Sequence, residues 1–186
     1  MMSLTGHLLI AMPQMEDPFF ARSAVFLLAH SEDSGAMGLM VNKTVESLTV
    51  DRLYADLEIT PVIPSARPLA VHFGGPVAPG HAFVLHSADY REAETQIISG
   101  DFALTTSLDI LRAMAKGTGP RQSLVTIGYA GWGPGQLEGE IGANGWLSVP
   151  ADTGLVFDSD DQAKWQLALA KLGVSPEMIS GETGRA

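Results

Sequence analysis

No cysteine occurs in the 186 residues, which excludes disulfides, thiolate metal sites and thiol nucleophiles and leaves any redox chemistry to a bound cofactor. Cations are scarce as well: 11 Lys and Arg against 21 Asp and Glu give a net charge of −10. Such a balance repels a phosphate backbone unless the basic residues gather on one face. Here they are spread singly from Arg22 to Arg185, with Arg112 to Arg121 the one loose group. Direct nucleic-acid binding is disfavoured. Long apolar runs are missing too. The run from Leu8 to Met12 stops at Pro13, without the basic flank and the roughly 7–15-residue apolar stretch of a secretory signal, and no run approaches the roughly 20 residues of a membrane span. The expectation is a cytoplasmic protein with no membrane association.

Several chemical signatures are also absent. No G-x-x-x-x-G-K-[ST] or G-x-G-x-x-G pattern completes a phosphate cradle, and no G-x-S-x-G elbow presents an activated serine. Five histidines invite a metal reading. His81 and His86, however, lie in one expected strand at an odd spacing, which sends their side chains to opposite faces. His7, His30 and His72 are isolated in apolar runs, where a histidine with a satisfied hydrogen bond is the ordinary case. With no H-E-x-x-H pattern, neither a metal nor a cofactor is expected.

What is present suits a globular protein. Apolar residues make up 46% and charged residues 17%, and the length fits a single domain spanning residues 1–186 that buries roughly 70% of its unfolded surface. Residues 181–186 are expected to be mobile. Short strand-like runs occur at 7–12, 24–30, 38–42, 69–73, 82–86 and 124–129, several apolar throughout and so expected to be covered on both faces. Later candidates are 146–149 and 155–157.

Helical spacing marks 106–116, with Thr105, Thr106 or Ser107 as N-cap and Gly117 as the stop. It also marks 160–172, where Trp165, Leu169 and Leu172 share a side, and more weakly 48–57. Strands with helices interspersed irregularly indicate an α+β fold. In the loop at 12–23, Asp17 is expected to cap a turn and to pair with Arg22.

The chemistry concentrates between Gly128 and Pro150, where two indoles, a tyrosine, many glycines and two carboxylates share one short run. Glycine permits close backbone approach, and Trp and Tyr offer large flat surfaces with one polar edge each. A short helix after Pro134 would place Gln136, Glu140 and Asn144 on one face, with Glu138 pointing elsewhere. That face, flanked by Trp132 and Trp146, reads either as a ligand-orienting cleft or as a capped surface helix with core indoles. The Gly74-Gly75-Pro76 turn after the Val71-His72-Phe73 run offers amides to an anion, or is simply a sharp turn. The candidate binding cleft therefore comprises Gly74, Gly75, Pro76, Trp132, Gln136, Glu140, Asn144 and Trp146.

The runs Leu8–Pro13, Asp17-Pro18-Phe19 with Arg22-Ser23, Gly35–Gly38 followed by Val41-Asn42-Lys43, Gly74-Gly75-Pro76, and Gly128–Ala130 through Gly135–Glu138 together resemble the YqgE/AlgH family of bacterial proteins. The resemblance spans nearly the whole chain and includes Phe83–His86, Thr105–Ser107, Asn144 with Trp146-Leu147, and Pro150 with Asp152. It implies a cytosolic α+β domain with bent, partly barrel-like mixed sheets and a few flanking helices. The AlgH name also carries a suggested role in transcriptional regulation. The chain departs from the family pattern at Gly184-Arg185-Ala186, where the tail usually reads Gly-His-Ala.

The leading reading is a non-catalytic or regulatory protein that binds a small molecule or a protein partner. A hydrolase-type enzyme would instead use Glu138 or Glu140 as general base near His86 or His72, with a pKa moved toward neutrality by burial. A regulator acting directly on DNA would need a basic surface, so any effect on transcription is expected to be indirect.

Overall fold

The computed structural model describes residues 2–62, 69–158 and 160–174; the tail from Gly181 to Ala186, expected to be mobile, lies outside them. Among the described residues ten strands join in one sheet. They are β1 (His7–Ala11), β2 (Ala24–Ser31), β3 (Gly35–Met40), β4 (Thr44–Thr49), β5 (Ala70–Phe73), β6 (Val77–Ser87), β7 (Thr95–Ser99), β8 (Phe102–Thr105), β9 (Ser123–Trp132) and β10 (Trp146–Pro150). Four α-helices flank them: α1 (Val50–Asp56), α2 (Asp109–Lys116), α3 (Gln136–Gly142) and α4 (Asp161–Lys171). The main path runs β10-β1-β2-β3-β9-β6-β8-β7, with β5 joined to β4 and, in parallel, to β9. Antiparallel pairing otherwise prevails, giving a curled half-barrel of the α+β class.

β9 is the hinge of this curl. Its first part pairs with β6 on one edge and with β5 at Thr126 and Ile127, while its last residues, from Ala130 to Trp132, pair with β3. The handover occurs next to Gly128, whose φ of +71° lies in the left-handed region. Gly74 stitches the junction: its N–H donates to Ile127 O and its carbonyl accepts from Met40 N. This turn is therefore a sheet junction, and the Gly74 amide is not available to an anion.

The continuous apolar runs do face two ways. In β1 and β2, Leu8, Ile10, Ala24, Phe26 and Leu28 pack toward α4, Trp165 and Leu169. Their alternates Leu9, Ala11, Val25 and Leu27 pack on the other side with Trp132, Leu137 and Trp146. A third core holds α1 and α2 against Val71, Val84 and Val125.

Several expectations need correction. Residues 155–157 belong to a π-helical turn from Gly154 to Asp158 rather than a strand, held by Asp152 Oδ1 accepting from Leu155 N. The N-cap of α2 is Leu108, without a side-chain cap, because Ser107 donates instead to Glu92 and Thr105 is buried against His86. The first residues of the 48–57 helix belong to β4, and β7 and β8 were not anticipated.

Candidate functional site

The Gly-rich segment resolves into three different environments. Trp132 and Trp146, both buried, stand edge to face with ring centres 6.0 Å apart, and Phe20 meets each of them. Glu140 lies with them at the end of α3. Burial pushes its carboxyl pKa up and Asp17 adds to this, while the Trp132 and Trp146 indoles offset only part. Glu140 Oε2 and Trp146 Nε1 are both buried without a hydrogen-bond partner among the described residues.

Gln136 instead turns back to accept the Gly133 N–H, and exposed Asn144, with a positive φ, accepts at its carbonyl from Gln14 Nε2. The structure thus brings Trp132, Glu140 and Trp146 together as a packed internal set and leaves Gln136 and Asn144 at the surface. Gly75 is sealed against the Tyr129 backbone.

His30 and His86 are committed elsewhere. His30 Nδ1 accepts from Leu4 N, which places its proton on Nε2, facing Glu138 Oε1 at 2.6 Å. Both ring nitrogens are thus engaged, and the pair fastens the segment at Leu4 to α3 rather than offering a free base. His86 is fully buried. Its Nδ1–H donates to Ser87 O, so its Nε2 accepts from the Thr105 hydroxyl, which in turn accepts from Thr95. This has the outline of a nucleophile and base, but His86 and Thr105 are both closed to solvent. Neither Glu138 nor Glu140 hydrogen-bonds to His86 or His72, so the general-base pairings suggested by the sequence do not form. Among the described residues no group of three or more His, Asp or Glu side chains could hold a metal ion.

Chemistry-bearing groups converge instead where the 12–23 loop and the end of β3 meet α4. A cleft of about 350 Å³ is lined there by Arg22, Asn42, Lys43, Asp161, Gln162 and Trp165. Larger depressions exist, one apolar between α1 and α2, one polar around Asp89 and Arg121, and one beside α1 around Tyr54 and Ile59. The smaller cleft is distinguished by what its walls hold.

Asp161 Oδ2 takes the His72 Nε2–H at 2.8 Å, and its Oδ1 takes Lys164 Nζ at 2.8 Å. Lys164 is buried and also donates to Val41 O, so two acceptors hold it as an ammonium. Burial lowers its pKa and Asp161 partly restores it. For Asp161 itself, burial raises the pKa, but the hydrogen bonds from His72 and Lys164 outweigh this and hold the carboxyl below its usual range.

The acid branch of the stability curve follows. A depressed folded pKa means that the contribution of Asp161 is complete above the unfolded value of about 3.9 and is lost as pH falls through the lower folded value. Urea midpoints are expected to drop below about pH 4. Asp161→Asn should cost about 1–2 kcal/mol at neutral pH, allowing for partial exposure, and should flatten that branch. Superimposable acid branches would assign the transition to another carboxylate.

Arg22 is the other unusual wall. The expected ion pair with Asp17 is not formed. Asp17 Oδ1 accepts the Phe19 and Phe20 amides, and the Arg22 guanidinium lies over the Trp165 ring, 5.3 Å from its centre. Its backbone has φ +57°, uncommon for a residue with a side chain and typical of strained positions near functional sites. Asn42 holds that conformation, donating to Arg22 O and accepting from Ala24 N.

A sequence model described as AlgH-like matches residues 8–177. The chain belongs to the AlgH-like family. A UPF0301 protein of Cereibacter sphaeroides (strain ATCC 17023) is 49% identical over 186 residues, covering 100% of both chains. One of Jannaschia sp. (strain CCS1) is 50% identical over 185 residues, covering 98% of this chain and 95% of its own. The solution structure of the AlgH protein from Pseudomonas aeruginosa superposes with a TM-score of 0.76 at 39% identity, covering 99% of this chain and 96% of that one. A crystal structure of a Corynebacterium diphtheriae protein shares the fold with a TM-score of 0.72 at 21% identity, over 90% of this chain and 86% of that one. In this AlgH-like chain, two of the runs that carry the resemblance, from Asp17 to Ser23 and from Val41 to Lys43, meet at the Arg22 cleft.

Proposed function

We propose that this AlgH-like protein is a non-catalytic, cytoplasmic binding protein whose site is the Arg22 cleft, and that any effect on transcription passes through the bound ligand or a protein partner. The observation that supports this reading is Arg22. Its positive-φ backbone is pinned by Asn42, its guanidinium lies over the Trp165 ring, and it makes no ion pair among the described residues. Such an arrangement spends folding energy to present a recognition group. Asp161, His72 and Lys164 nearby are locked to one another, which suits holding a ligand better than transferring protons to it.

The test uses the full chain and a small-molecule extract. After incubation and removal of unbound material, native mass spectrometry should show a retained compound of fixed mass, recovered unchanged on denaturation. Progressive conversion of an extract compound by the protein would defeat the non-catalytic reading. Duplex DNA is expected to show no sequence-selective binding at physiological salt. A tight complex with a steep salt slope would contradict the indirect route.

A further inference from the structure

We infer that the Arg22 cleft takes a small ligand bearing a carboxylate or phosphate group, gripped by the Arg22 guanidinium with Lys43 as the second cation. The inference rests on the binding reading above and adds the chemistry of the ligand.

The charge within the cleft runs against the chain as a whole. The protein carries −10, yet the side chains lining this cleft include two cations and one carboxylate. That carboxylate, Asp161, has one oxygen taken by His72 and the other by Lys164, so its charge is compensated from behind. Asp17, beside Lys43, has Oδ1 occupied by the Phe19 and Phe20 amides. Lys43 gives one hydrogen bond, to Phe19 O at 2.6 Å, and an ammonium has three to give.

Arg22 is prepared for an anion more specifically. The ring attracts the guanidinium charge without forming an ion pair, so the N–H donors of Arg22 are not taken by a carboxylate and can fork two oxygens. The platform is itself fixed, since Trp165 is buried and its Nε1–H donates to Ala11 O at 2.8 Å. Two other arginines, by contrast, face carboxylates on their own helices: Arg52 faces Asp56 and Arg112 faces Asp109. Arg22 has its backbone pinned and its guanidinium over Trp165, while its N–H donors have no ion-pair partner among the described residues. Gln162 and Gln166 add amide donors at the rim. A volume of about 350 Å³ admits a molecule of metabolite size.

Inorganic phosphate and citrate serve as separate probes for the two sources of the group. Each is titrated into the isotopically labelled full chain at constant ionic strength made up with sodium chloride. Saturable shifts of the Trp165 indole N–H and the Arg22 Nε–H are expected with at least one probe. Arg22→Gln should weaken that binding at least tenfold. Arg22→Lys should weaken it nearly as much, because a point charge lacks the fork, and Lys43→Gln should weaken it about threefold. Arg22→Gly, which relieves the positive φ, should melt no lower than the parent and so separates lost binding from lost fold.

Equal shifts from sodium chloride alone, or binding unchanged in Arg22→Gln, would overturn the inference. An uncharged extract compound that perturbs the same resonances and ignores Arg22→Gln would overturn it while leaving the binding reading intact. If neither the probes nor any extract compound perturb the cleft, both fall. Tighter competition by a single-stranded oligonucleotide than by either probe would make this a nucleic-acid site and would also overturn the inference.

Discussion

Gly75→Ala should destabilise the protein by more than about 3 kcal/mol, combining overpacking against immovable atoms with backbone strain. A methyl on Gly75 would fall well under 3.0 Å from the Tyr129 carbonyl group and the Ala130 nitrogen, all backbone atoms of β9. A side-chain neighbour can rotate away; a strand paired on both edges cannot. The approach is mutual, since a methyl on Gly128 would strike the Gly75 carbonyl. These two glycines let the β5–β6 turn press onto β9 where the sheet passes from its β6 half to its β3 half.

Gly139→Ala supplies a control of opposite sign. It lies inside α3 with nothing near its missing Cβ, so alanine should stabilise by about 0.5–1 kcal/mol. Chemical denaturation of the two variants beside the parent decides the matter. A Gly75→Ala protein that unfolds at the parental midpoint would mean that the turn shifts freely and that the junction is not rigid.

That junction was only half legible in the sequence. The doublet after Val71-His72-Phe73 marks a sharp turn, but what makes both glycines necessary is a strand some fifty positions further on, and no local pattern reports it. The strands β1 and β2 were legible because unbroken apolar runs such as Leu8–Ala11 must be covered on both faces, and they are. The strand β7 was not, since its Thr-Gln-Ile-Ile-Ser sequence lies at the sheet edge, where Gln96 and the apolar Ile97 both face solvent and break the alternation. β8 is only four residues long, and its buried Thr105 looked like a helix cap.

The Arg22 cleft was hidden by distance, because its walls come from the 12–23 loop, the end of β3 and α4. One signal was nevertheless available. Asp161 and Lys164, three apart, fall on the same helical stripe as Trp165, Ala168 and Leu169, so two charges were due to be buried with the apolar face. Buried charges need partners, and the sequence does not report that one of them is His72. Nothing in the sequence reports the positive φ of Arg22.

Trp146→Ala is expected to cost about 3–5 kcal/mol, the range for removing a large aromatic from a core that only partly collapses. The indole is 2% exposed, packs edge to face on Trp132 and Phe20, and sits in β10 opposite Ala11 of β1. In a chain of this length the melting temperature should fall by roughly 6–20 °C.

Glu140→Gln should move stability by no more than about 0.5 kcal/mol at neutral pH, and toward the more stable side, because burial already disfavours the charged carboxylate. The sign with pH is fixed by the raised folded pKa. Below about pH 4 the glutamate is protonated folded and unfolded, and the variants should coincide. As pH rises, the unfolded glutamate ionises first, the parent loses stability through its folded pKa, and the glutamine variant gains on it. Melting curves of both variants between about pH 3 and pH 8 test the pair together. If Glu140→Gln unfolded the protein while Trp146→Ala was tolerated, the carboxylate would be the structural partner and the indole the exposed contact. The ligand-binding face would then have to be sought at Trp146 instead of across the sheet at Arg22.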